Sequence, residues 1–233
     1  MSEPFLCLDT STPTARVALL DAEVRILFSG EVTADRHAGH LLPLCAEALR
    51  AAGVTASGLA GIACGGGPGS FTGLRVGLAA AKGLALPTGV PLYVVSSLAA
   101  LALDISQADG EPGPSGTAIP CLDAGKGEVY VAAYVADAER RVREVAPVAR
   151  LAPAAVAGWL REVPGSAPRV AGNGAKRYPT AFAGASVVEV AGPTAVSVGV
   201  LALLQRARGE AADLATAVPF YGRPPDITVK RQP

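Results

Sequence analysis

The chain has 233 residues, half of them apolar, with twenty Lys and Arg set against twenty Asp and Glu. A chain this long buries about 70–75% of its unfolded surface, so a core needs neither disulfide nor metal. Zero formal charge excludes a free-standing nucleic-acid binder, which needs a basic excess to displace counterions from phosphates. No apolar run reaches the roughly 18–20 residues of a membrane span, since Lys82 and Pro87 interrupt Val76–Val90. The start, Met-Ser-Glu-Pro and a few apolar residues before Asp9, lacks the basic, long-hydrophobic character of an export signal. A soluble cytoplasmic protein is expected, with no membrane contact.

In chain order, Phe5–Leu8 and Arg16–Leu20 are β-rich runs around the turn Asp9-Thr-Ser-Thr-Pro13, and Glu23–Val32 reads as a third strand. A three-stranded meander thus opens the fold. Leu41–Ala52 repeats Leu41, Leu44, Cys45, Ala48 and Leu49 at helical spacing and stops at Gly53, which accepts a left-handed cap. Leu59–Cys64 is a short apolar strand; after Gly65–Gly73, Leu74–Leu86 is predicted helical, with Pro87 as its stop. Pro91–Val95 and Ser97–Leu103 add a strand and a helix, an order that predicts parallel strands with crossover helices.

Gln107–Ser115, rich in Gly, Pro and acid, is the best linker. Beyond it, Ala118–Leu122 and Val129–Val135 repeat a strand–turn–strand opening around Asp123-Ala-Gly-Lys-Gly127. Two related lobes are therefore expected, 1–105 and 106–233, the second including the tail. Strands at Val142–Leu151, Arg169–Ala171 and Val187–Val190, a helix at Pro153–Glu162 and the turn Gly172-Asn-Gly174 follow. Thr194 can cap a last helix, Ala195–Arg208, and the tail from Pro219 reads as irregular.

Cys7, Cys45, Cys64 and Cys121 are far apart and read as core hydrophobes rather than a metal knuckle or disulfide framework. His37 and His40 share a helical spacing, but two ligands make no metal site, and surface positions at a helix entry are the simpler reading. Asp9 and Asp123 each end a strand before a small-residue turn. A carboxylate there can bind magnesium or orient water, or it can cap its own turn.

Gly65-Gly-Gly-Pro-Gly-Ser-Phe-Thr-Gly-Leu-Arg-Val-Gly77 lies between a strand and a helix, where converging amides can hold an anion. The Gly-Lys-Ser/Thr ending of a phosphate loop is absent. Gly73, Gly77 and Gly83 each cost about 1 kcal/mol relative to Ala in a helix interior. Gly73, Gly77 and Ala81 recur every four residues and form a smooth face for close approach, either to another part of the chain or to another subunit. Arg75 stands in the first helical turn, where the dipole disfavours a cation, so an acid or a partner group is expected beside it. Lys126 and Glu128 read as solvated turn residues.

Taken together, Leu6-Cys-Leu-Asp-Thr-Ser-Thr12, Arg36-His-Ala-Gly-His-Leu-Leu-Pro43, Gly67–Gly77 with Ala81-Lys-Gly-Leu-Ala85, Val94-Val-Ser-Ser-Leu98 and Leu122-Asp-Ala-Gly-Lys-Gly-Glu-Val-Tyr130 resemble the ordered motifs of the TsaB family, glycoprotease-like paralogues of TsaD. The resemblance covers the first 130 residues and the closing motif Pro219-Phe-Tyr-Gly-Arg223, while Val131–Ala217 matches loosely. It implies an actin-like, ribonuclease-H-like two-lobed α/β fold with mixed sheets flanked by helices. It also implies a non-catalytic scaffold in tRNA threonylcarbamoyladenosine (t6A) biosynthesis, paired with TsaD, which binds metal and nucleotide and transfers the threonylcarbamoyl group. TsaC and TsaE act in the same process, and tRNA is met only through the complex.

The family's helical interface would fall here on Leu41, Leu44, Cys45, Ala48, Gly73, Leu74, Gly77, Ala81 and Leu84, a face that can self-pair when the partner is absent. Ser97 and Leu101 match the metal-binding histidines of the catalytic paralogue, so no metal or other cofactor is expected. The turn Asp9–Pro13 lacks the glycine pair of active actin-like ATPases, and Pro13 removes an amide donor. A vestigial nucleotide site would use Asp9, Thr10, Ser11, Asp123, Gly125, Gly172 and Gly174. The rivals are an actin-like ATPase or small-molecule kinase, and a glycoprotease-like metallopeptidase, for which no His-Glu-x-x-His helix exists.

Overall fold

The computed structural model describes residues 3–33, 37–108, 116–137, 139 and 141–222. β1 (Phe5–Asp9), β2 (Thr14–Leu20) and β3 (Ile26–Thr33) form the antiparallel meander. The third strand starts at Ile26 rather than Glu23, because Asp21 Oδ1 accepts bonds from the amides of Glu23 and Arg25 and holds those residues in a turn. β4 (Gly61–Gly65) and β5 (Leu92–Val95) lie parallel to β1, giving the order β3-β2-β1-β4-β5. All five residues of β1 are buried, as a central strand covered on both faces requires.

Successive side chains of β1 serve different cores. Leu6 and Leu8 meet α1 (His37–Ala51) and α2 (Phe71–Thr88), whose Leu41, Cys45, Ala48, Leu78, Ala81 and Ala85 complete one cluster. Phe5 and Cys7 meet α6 (Ala195–Ala207), through Val198, Leu201 and Ala202. α1 begins four residues before Leu41 and carries Pro43 inside it. α2 begins at Phe71, because the Ser70 hydroxyl accepts the amide of Gly73, and it continues past Pro87 to a left-handed cap at Gly89, φ 69°. A proline removes one amide, and in the last turn that loss does not end the helix.

The second half repeats this order. β6 (Ala118–Gly125), β7 (Glu128–Ala136) and β8 (Val142–Leu151) form a meander; β9 (Arg169–Ala171) and β10 (Ser186–Val187) add parallel strands in the order β10-β9-β6-β7-β8. α4 (Pro153–Glu162) and α5 (Asn173–Arg177) stand in sequence where α1 and α2 stand in the first half. The expected Gly172–Gly174 turn is the entry to α5, with Gly172 as its cap. The expected strand Val187–Val190 pairs over only Ser186 and Val187.

The helix that closes each half crosses to the other. α3 (Ser97–Gln107) packs Leu98, Leu101 and Ile105 on Leu122, Tyr130 and Tyr134 of the second sheet. α6, from beyond residue 105, covers the first sheet. The expected boundary after residue 105 falls inside α3, the helix that packs on the second sheet. Of the expected linker, Asp109–Ser115 lies outside the described residues, as do Arg36 and Arg223 of the quoted motifs.

Candidate functional site

The β1–β2 turn is the natural place to look for a ligand, and its residues Asp9, Thr10, Ser11 and Thr12 are all buried. Asp9 accepts bonds from the Ser11 amide (2.8 Å), the Ser11 hydroxyl (2.6 Å) and the Ser97 hydroxyl at the head of α3 (2.8 Å). Burial pushes its carboxyl up from the ordinary range, against these bonds and the charge of Arg16. Asp9 therefore caps its own turn.

The glycine-rich loop closes over this turn, and the chain itself takes up four of its amides. Gly66 N donates to Val95 O, Gly67 N to Ser97 Oγ, Ser70 N to Ser11 O and Gly73 N to Ser70 Oγ. The glycines permit contact: a Cβ on Gly65 would fall 1.9 Å from Asp9 Oδ2, on Gly69 2.4 Å from Ser11 O, and on Gly73 2.0 Å from Thr10 O. A Cβ on Gly77 would fall 2.1 Å from Thr10 Oγ1. Two candidate sets thus meet, because glycines expected at a subunit face seat the helix on the turn expected to hold a nucleotide.

In the second half the residues converge similarly. Asp123 Oδ1 accepts the amide of Gly125, Oδ2 meets the Arg177 guanidinium at 2.8 Å, and Asp123 N donates to Asn173 Oδ1. Gly172 (φ 114°) and Gly174 press on Cys121, where a side chain would overlap its carbonyl oxygen and sulfur. α3 runs between the two turns. Ser97 reaches Asp9, whereas Leu101, fully buried, lies against Gly172.

Among the described residues no three His, Cys, Asp or Glu side chains come together as a metal site. The four cysteines are free and buried; burial pushes their thiols up, that of Cys45 to about 12. A cleft of about 320 Å³ is lined by Gly66, Ser96, Tyr134, Glu144 and Phe220 among others, but neither Asp9 nor Asp123 lines it.

The residues expected at a helical interface lie mainly on the inner faces of α1 and α2. Leu41, Cys45, Ala48, Gly73, Leu74, Gly77 and Ala81 are buried inside this chain, and Leu44 and Leu84 are partly so. Their apolar periodicity marks the face each helix turns to its own core. The exposed face of α2 is instead Phe71, Arg75, Ala79, Gly83 and Leu86, at helical spacing, with Leu86 73% and Phe71 39% exposed. Leu42 on α1 is 50% exposed.

The tail supplies a contact that sequence reading missed. Phe220 N donates to Gly66 O (2.8 Å), Tyr130 Oη donates to Tyr221 O (2.8 Å), and Arg75 Nε donates to the Tyr221 hydroxyl (3.1 Å). For Arg75 an acid or a partner group is the expectation. Among the described residues it meets no acid, and lies over the Phe71 ring at 3.9 Å. His40 is exposed on α1, and the side chain of His37 is outside the described residues.

Two five-stranded mixed sheets of matching order, flanked by helices and each opening on a hairpin turn, define an actin-like α/β protein. An inorganic polyphosphate/ATP-glucomannokinase from an Arthrobacter strain shares this fold, at TM-score 0.50 and 13% identity over 89% of this chain and 100% of its own. The family model described as TsaD, tRNA N6-adenosine threonylcarbamoyltransferase, matches residues 28–219, and the chain belongs to that family. Within it the similarity is to TsaB. YeaZ from Pseudomonas aeruginosa superposes at TM-score 0.78 with 32% identity, over 94% of this chain and all of that one. The Escherichia coli tRNA threonylcarbamoyladenosine biosynthesis protein TsaB is 35% identical over 134 residues, 57% of this chain and 55% of its own length. The chain spans about half the length of the curated relatives it matches.

Proposed function

We propose that this chain is a non-catalytic scaffold in tRNA threonylcarbamoyladenosine biosynthesis, which binds TsaD through the outer faces of α1 and α2 and supports its transferase activity. The observation that carries this reading is Gly83. Among the described residues a Cβ there would meet nothing within 4 Å, so no contact among them offsets the roughly 1 kcal/mol that glycine costs inside a helix. An approaching helix would use that opening, flanked by Ala79 and Leu86. The buried set Leu41, Cys45, Ala48, Leu74 and Ala81 would hold the two helices at their spacing from beneath, with Leu44 and Leu84 at the rim. Against turnover by this chain stand the buried β1–β2 turn and the amides of Gly66, Gly67, Ser70 and Gly73, bonded within the chain. TsaC and TsaE would act alongside it, tRNA would be met through the complex, and the setting would be the cytoplasm; no helix among the described residues is long and apolar enough to cross a membrane.

The test is reconstitution with TsaC, TsaD, TsaE and tRNA, assayed for the modified nucleoside with and without this chain. Equal product in its absence, or brisk ATP hydrolysis by the chain alone, would overturn the reading. Ala79→Arg should abolish co-elution with TsaD and leave the chain folded, whereas Ala81→Arg would disrupt the core.

A further inference from the structure

Arg75 occupies the first turn of α2, where the helix dipole disfavours a cation. Arg16, Arg25, Arg141, Arg150 and Arg177 each meet a carboxylate, but among the described residues Arg75 meets none. Its position is fixed by other means. The guanidinium carbon lies 3.9 Å from the centre of the Phe71 ring and 5.5 Å from that of Tyr221, the two rings are 4.8 Å apart, and Nε is bonded to the Tyr221 hydroxyl. Tyr221 is in turn held by the Tyr130 hydroxyl, and Gly222 packs on the Tyr130 ring. The tail therefore builds a seat for an exposed cation.

Charge and continuity say what the seat is for. α1 and α2 carry Arg50, Arg75 and Lys82 against one acid, Glu47, in a chain whose charges balance overall. Arg75 heads the exposed stripe that continues through Ala79, Gly83 and Leu86. A guanidinium whose freedom is already restricted loses less on binding, and its fork suits a carboxylate. We propose that Arg75 is a preformed anchor receiving a carboxylate of the protein partner that covers α1 and α2. This rests on the scaffold reading.

The experiment measures the affinity of the full chain for TsaD at about 0.05 and about 0.5 M salt, a range over which exposed charge pairs become screened. Arg75→Ala should weaken binding about tenfold or more and flatten its salt dependence, with the melting temperature unchanged. Arg75→Lys, which keeps the charge without the fork, should rescue little. If R75A lowers the melting temperature, R75Q keeps the stem and repeats the comparison. Unchanged affinity in R75A while Ala79→Arg abolishes binding would overturn the anchor and leave the scaffold reading standing. Unchanged affinity in both variants would remove both. Unchanged protein affinity with loss of tRNA from the complex would mean that Arg75 serves a phosphate, and would equally overturn the proposal.

Discussion

Asp104 sits on α3 and serves α6. It accepts the Thr194 amide (2.8 Å) and hydroxyl (2.7 Å) and the Ser197 hydroxyl (2.6 Å), so the cap of one helix is fastened to the side of another. Burial pushes its carboxyl up to about 6, against those bonds. A group whose folded value is raised binds its proton more tightly when folded. Its contribution is therefore fully present below about pH 4, near the unfolded carboxylate value, and is lost as pH rises through about 6. The loss is on the order of 3 kcal/mol, with Asp9 acting in the same direction. Denaturant unfolding of Asp104→Asn between those pH values should show a flatter dependence than the parent chain; equal slopes would refute the assignment. A second expectation concerns Ser97→Ala, which leaves the Gly67 amide without its acceptor and Asp9 without a donor. It should cost about 1–3 kcal/mol in the same assay. Asp104 gave no signal in the sequence because its partners are some 90 residues away.

At the level of the element, α2 shows how one residue type takes opposite roles. Gly73 and Gly77 sit on the backbone and side chain of Thr10, but Gly83 faces open space. Gly73→Ala and Gly77→Ala should therefore destabilise the chain, since an atom placed 2.0 or 2.1 Å from Thr10 forces the helix off the turn. Gly83→Ala should stabilise it, by up to about 1 kcal/mol. Urea midpoints measured on the three variants check this, and a shift of one sign in all three would contradict it. In the sequence the three glycines look alike. Periodicity located the helix and its apolar side, but that side turned out to be the chain's own core, as burial of Leu74 and Ala81 makes plain.

For the whole molecule, the exchange of α3 and α6 matters most. Each sheet depends on a helix from the opposite half, and α3 and α6 also touch each other. The two lobes should consequently unfold together, giving a single calorimetric transition, with two resolved transitions as the contrary result. A chain ending at Pro193 would leave Phe5, Cys7, Leu20 and Tyr93 without the helix that covers them and should lose the first sheet's exchange protection.

Local patterns in the sequence were enough for most of the strands, the longer helices, their parallel and antiparallel order and the repeat of the opening hairpin, because alternation and helical spacing act within a few residues. For Asp9 and Asp123 they offered turn capping beside ligand binding, and in the fold each bonds an amide two residues on. Three matters were settled only in three dimensions: which face of α2 is left over, that Arg75 stacks on Phe71 and Tyr221 instead of meeting an acid, and that each half lends its last helix to the other. Each depends on contacts between residues far apart in the chain, where no local spacing rule operates and only the packing of sheets, helices and tail brings the partners together.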